Sequence, residues 1–156
     1  MAGTFYGREK YDPQLIVSQI IIMQCLHYLG LGLSYFLMDT LMGVPLTLSQ
    51  FFSDDAFSNI STRMAWATIF GILINSIFNI AALIFVVERA KKCLDYGGTV
   101  YFLHICFCLM FNGIPGCWQW WLCNILALII AVVFGEYVCA TRELREIPMT
   151  RLASRV

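Results

Sequence analysis

Tyr96 to Gly135 reads YGGTVYFLHICFCLMFNGIPGCWQWWLCNILALIIAVVFG, about 40 residues without one Asp, Glu, Lys or Arg, where a single helix needs about 20 to cross a bilayer. The stretch is therefore two crossings and not one. Asn112-Gly113-Ile114-Pro115-Gly116 supplies the break, because Pro and Gly stop helices and form turns. This places a third span at 97–112 and a fourth at 117–138, with Trp118, Trp120 and Trp121 at the start of the fourth, where indoles favour the membrane surface. Working outward, 15–38 and 64–87 are also free of charge. Each is about 24 residues, which at about 1.5 Å per residue exceeds the roughly 30 Å hydrocarbon core. The fold class is an all-α membrane protein, a four-transmembrane-helix bundle with short loops.

Composition agrees. Hydrophobic residues make up 60% of the chain and charged residues only 13%, against about 25% charged in a soluble domain. With 156 residues, four spans leave an arm at 1–14, a membrane domain at 15–141 and a tail at 142–156. That leaves no length for a soluble catalytic domain. The formal net charge of zero says nothing about nucleic acid, but no basic patch with interleaved aromatics is present, so no nucleic-acid partner is expected. The first apolar segment is too long for a signal-peptide core, so a retained span is expected. Gly3 stands one place too late for myristoylation and Ala153-Ser154-Arg155-Val156 is no prenylation box, so neither of those anchors is expected.

Lys and Arg accumulate on the cytosolic side of membrane proteins. Arg8 and Lys10 precede span one, Arg89, Lys91 and Lys92 follow span two, and Arg142, Arg145, Arg151 and Arg155 follow span four. The loop from Asp39 to Arg63 holds one Arg against Asp39, Asp54 and Asp55. Both termini are therefore expected in the cytosol. The first loop then faces the lumen, where Asn59-Ile60-Ser61 makes Asn59 a candidate glycosylation site, although one close to span two.

Seven cysteines lie mostly inside spans, with no spaced pair in the lumenal loop to form a disulfide framework. Cys106 and Cys108 are about 200° apart around a helix, which disfavours both redox pairing and metal chelation. Cys93 and Cys139 sit at cytosolic span edges and are candidate palmitoylation sites. In span two, Ala67, Gly71, Asn75 and Asn79 recur at four-residue steps, the pattern of helix packing in lipid. Gln19, Gln24, His27, His104, Gln119 and Asn124 are its candidate hydrogen-bond partners. A transport pathway is the sharper alternative for these residues. Against it, no span carries a mid-membrane carboxylate or a central Gly and Pro break. No nucleophile and base pair, metal cluster or phosphate loop is present, so no enzyme, metal or cofactor is expected. Glu136 lies at a span end near Arg142, and Arg142-Glu143-Leu144-Arg145-Glu146-Ile147 continues the helix until Pro148.

Gly135-Glu136-Tyr137-Val138-Cys139 followed by Glu143-Leu144 and Glu146-Ile147-Pro148 resembles the C-terminal signature of the Sys family of small Golgi trafficking proteins. Tyr11-Asp12-Pro13 with Ser18-Gln19-Ile20 and Met23-Gln24 is similar to that family's N-terminal region, and Lys92-Cys93-Leu94-Asp95 with Thr99-Val100 and His104 to its centre. Trp120 and Trp121 match a tryptophan pair. The lumenal loop and the Asn112 to Gly116 turn depart most. The resemblance implies a trans-Golgi membrane receptor for an ARF-related small GTPase with an acetylated N-terminus. Recruiting that GTPase would support golgin tethers and endosome-to-trans-Golgi traffic. The expected docking face is Glu136, Tyr137, Glu143 and Glu146 on one side with Lys91 and Lys92 on the other. Two other classes stay open: a cargo adaptor using the Asp54 and Asp55 loop, and a small transporter or channel that would need to oligomerise.

Overall fold

The computed structural model describes residues 13–145, and these form a helical bundle. The long helices are α1 (Pro13–Met42), α3 (Arg63–Ala82), α4 (Cys93–Asn112) and α5 (Trp118–Arg145), with a short α2 (Ser49–Phe52) in the first loop. All four long helices are long and apolar enough to cross a membrane. They run alternately up and down, so residues 13 and 145 lie at one end, called here the terminal end, and residues 43–62 and 113–117 at the other, the loop end.

Local chemistry sets the boundaries. Pro13 opens α1, where its fixed φ suits a helix and its missing N–H costs nothing. Gly43 closes it at φ 64, and the Val44 N–H reaches back to the Asp39 carbonyl at 2.9 Å, a Schellman stop that needs a residue without Cβ strain. Thr62 caps α3 by accepting the Ala65 N–H at 3.2 Å. The end of α3 widens into a π turn at Leu83–Val87 and terminates at Glu88, whose φ of 58 is left-handed. Only Arg89 is extended before a 3-10 turn at Ala90–Lys92 leads into α4. The third crossing thus begins about a turn earlier than the sequence pattern indicated, because Asp95 sits in the first turn of α4, where an acid is favourable.

The helices pack by close approach and leave apolar side chains outward. α1 packs most extensively on α3. A Cβ on Gly71 of α3 would collide with the Tyr35 ring of α1, so the glycine is what lets these two helices touch. Ala67, Gly71, Asn75 and Asn79 all lie buried on this face. Phe36, Ile77, Phe85 and Phe102 point outward, the arrangement required when lipid is the solvent.

Candidate functional site

Two regions concentrate polar chemistry: the interior of the bundle and its terminal end. In the interior, His27 of α1 presents Nδ1 to the Asn79 Nδ2 at 3.1 Å and to the Asn75 Nδ2 at 3.3 Å, and the Asn79 Nδ2 lies 3.4 Å from the Tyr101 hydroxyl of α4. Beside it the Tyr28 hydroxyl meets His104 Nδ1 at 3.2 Å, and the Cys108 thiol lies 3.7 Å from His104 Nε2. The two histidine rings sit edge to face at 5.4 Å, and Trp120 of α5 stacks on His104 at 6.2 Å. All four spanning helices therefore meet at one polar centre. The cavity there measures about 10 Å³, room for about one water and not for a solute.

Smaller polar ties flank this centre. Toward the terminal end, the Tyr96 hydroxyl donates to Gln19 Oε1 at 2.6 Å, while Gln19 Nε2 donates to the Val86 carbonyl at 3.0 Å in the π turn. Toward the loop end, Gln50 Nε2 donates to Asp39 Oδ1 at 3.1 Å and approaches Thr68 Oγ1 at 3.4 Å, and the Tyr35 hydroxyl donates to the Gln50 carbonyl. Asn75 and Asn79 of the span-two stripe are joined to His27, one of its six candidate partners. Asn124 is a correction: it donates back to the Trp120 carbonyl one turn earlier at 2.9 Å, on its own helix. The tyrosines were missed. Gly97, Tyr101, His104 and Cys108 recur at steps of four, three and four and all lie buried, a signal that was available in the sequence.

At the loop end the first loop folds onto the bundle. Phe57 and Gln50 are buried, and Asp54 Oδ2 accepts the backbone N–H groups of Gly116 at 2.7 Å and Cys117 at 2.8 Å. Partial burial pushes the Asp54 carboxyl up, but these amide hydrogen bonds outweigh it and hold it below its ordinary value. Asn112 Nδ2 donates to Ser53 Oγ at 2.8 Å alongside. Asn59 is exposed, accepts the Ser61 N–H through Oδ1 at 3.1 Å, and stands just before α3.

At the terminal end several of the expected site residues are engaged within the fold. Cys93 and Cys139 are buried at 0% and 1% exposure, and pack the start of α4 on α5, so neither thiol is open to an acyl donor in this fold. Glu143 is not a free docking group either, since its Oε1 accepts the Ala90 N–H at 3.0 Å and caps the turn that starts the third crossing. Arg142 does not turn back to Glu136. It donates to the Ile84 carbonyl at 3.4 Å and lies over the Phe85 ring at 5.9 Å, serving a carbonyl at the π turn. Lys91, Glu136 and Tyr137 are exposed, Tyr137 at 70%, and Lys92 is half-buried. Lys92 lines a groove of about 190 Å³ between α1 and α4 together with Ile16, Ile20 and Asp95. Glu146 lies outside the described residues. Among the described residues, no group of three or more His, Cys, Asp or Glu is placed to hold a metal ion.

Comparison with known proteins places this arrangement. Residues 6–149 match a family model, SYS1, described as an integral membrane protein S linking to the trans Golgi network. A protein of Nematostella vectensis named Protein SYS1 homolog is 39% identical over 145 residues, 93% of this chain and 92% of its own length. A protein of the same name from Dictyostelium discoideum is 35% identical over 147 residues, covering 94% of this chain but only 63% of that longer relative. No solved structure matches.

Proposed function

The chain belongs to the SYS1 family of integral membrane proteins linked to the trans-Golgi network, and on that premise we propose that it is the Golgi membrane receptor for an ARF-related small GTPase with an acetylated N-terminus. Recruitment of that GTPase supports golgin tethering and endosome-to-trans-Golgi vesicle traffic. Both termini face the cytosol, so the terminal end is the docking side. A single myristoyl chain binds membranes only marginally, and a GTPase without one needs a protein partner at the surface.

The observation that carries this reading is the construction of the terminal end. Arg142 and Glu143 spend their hydrogen-bonding groups on the turn between α3 and α4, which fixes that turn to the last helix. Lys91, Glu136 and Tyr137 are left exposed on the ordered surface this creates. Such a surface is preorganised, and binding to it costs little further ordering. Tyr137 is the anchor, since a large exposed aromatic beside charged groups is the common centre of a recognition site. The cavity at the polar centre, about 10 Å³, is too small to hold a solute.

The test is depletion of the protein in cells with the GTPase followed by microscopy. Loss of the GTPase from the Golgi, rescued by the wild type but not by Tyr137→Ala combined with Lys91→Glu, is the expected result, with the variant itself still at the Golgi. Unchanged Golgi staining after depletion would sink the receptor reading.

A further inference from the structure

We propose that the polar centre of the bundle binds one buried water between His27 and Asn75, with His27 fixed as its Nε2–H tautomer. Both residues line the same small cavity, and each is only 2% exposed. Of these two lining residues, one polar atom each, His27 Nε2 and Asn75 Oδ1, is buried without a hydrogen-bond partner among the described residues. A cavity of about 10 Å³ is close to the roughly 10–15 Å³ that one water needs, and a water needs two or more polar partners to be held.

The tautomer follows from the amides around the ring. Asn79 alone does not decide it, because its Oδ1 and Nδ2 lie 3.2 and 3.1 Å from His27 Nδ1. Asn75 decides it. Its Nδ2 stands 3.3 Å from His27 Nδ1, and its Oδ1 lies against the Cα of Gly30, 2.6 Å from where a Cβ would be. That orientation puts a carbonyl oxygen, and not an NH₂, on the Cα–H of a neighbouring helix, a weak contact that recurs between helices. The Asn75 amide then donates to His27 Nδ1, and a neutral imidazole that accepts there carries its proton on Nε2. The cavity thus offers one donor, His27 Nε2–H, and one acceptor, Asn75 Oδ1. Water satisfies both at once, whereas an apolar occupant satisfies neither. This inference stands apart from the receptor role.

The chain holds only two histidines, His27 and His104, so a ¹⁵N-histidine-labelled protein without a histidine tag gives a spectrum with two imidazole systems. His104→Gln assigns them. In nanodiscs, the expected result is a protonated-type shift at His27 Nε2, an unprotonated-type shift at Nδ1, and a magnetisation-transfer cross-peak between His27 Hε2 and water. Asn75→Leu, which removes the acceptor, is expected to reduce that cross-peak at least about threefold while the other amide signals persist. A proton on Nδ1, or a sharp Nε2–H signal without transfer to water, would overturn the proposal. Sequential backbone-to-ring correlations in uniformly labelled wild type assign the two rings if His104→Gln fails to fold, so the wild-type protein alone decides between these outcomes.

Discussion

The two ends of the bundle are closed by different means. At the loop end, residues 43–62 fold back and spend their polar groups inward: Gln50 on Asp39 and Thr68, Ser53 on Asn112, Asp54 on the amides of the last hairpin. At the terminal end the connection between α3 and α4 is tight, held by a π turn, a left-handed Glu88 and two side chains from α5. The loop end uses the carboxylates of Asp39 and Asp54 as fasteners and leaves Asp55 exposed. The terminal end uses two charges that way and leaves Lys91 and Glu136 exposed. Buried polar ties are thus concentrated at the loop end, and exposed charge beside a tight turn at the terminal end.

The strongest test of this division is Gln50→Leu. It removes the partner of a buried carboxylate, and should cost about 3 kcal/mol in thermal unfolding of the purified protein in detergent. A comparable loss from Tyr137→Ala, which should cost less than about 0.5 kcal/mol, would erase the contrast. Next in size is Asp54→Asn, expected to cost about 1 kcal/mol because Asp54 is mostly solvated and its hydrogen bonds are screened. Its carboxyl is held below the ordinary value in the folded state. The stabilisation is therefore fully present above about pH 5 and is lost as pH falls through the folded value, below about pH 4. Unfolding measured across that range should show wild type and Asp54→Asn converging in acid.

At the terminal end, Glu88→Gly should stabilise by up to about 1 kcal/mol by relieving a left-handed conformation at a residue with a Cβ. Glu143→Gln should cost about 0.5 kcal/mol and be visible chiefly as faster hydrogen exchange at the Ala90 amide. Equal exchange in the two proteins would mean the cap contributes nothing to the turn.

The spans were legible because a bilayer imposes one simple demand, length without charge, and four segments of this chain meet it. The stripe of Asn75 and Asn79 was legible because its four-residue step puts it on one face. Its link to His27 could be named, but the tyrosines that complete the network are grouped with the hydrophobic residues of the spans, which hides their hydroxyls. The folded first loop was illegible for a different reason. Gln50 and Asp39 look like ordinary loop residues, and only the tertiary fold makes them partners eleven residues apart. At the tail, helical continuation past Arg142 was readable, but the destinations of Arg142 and Glu143 depend on a π turn that no periodicity announces.

Asp54 and Cys117 are 63 positions apart in the chain, and the hydrogen bond between them closes a ring that takes in the whole of α3 and α4. A covalent bridge over such a ring would restrict the unfolded chain by roughly 4 kcal/mol in the loop-entropy picture. The seven cysteines among the described residues are all free, and none supplies such a bridge. The carboxylate joins the two outward connections in the folded state only: it leaves the unfolded chain unrestricted, and it can let go and re-form without chemistry.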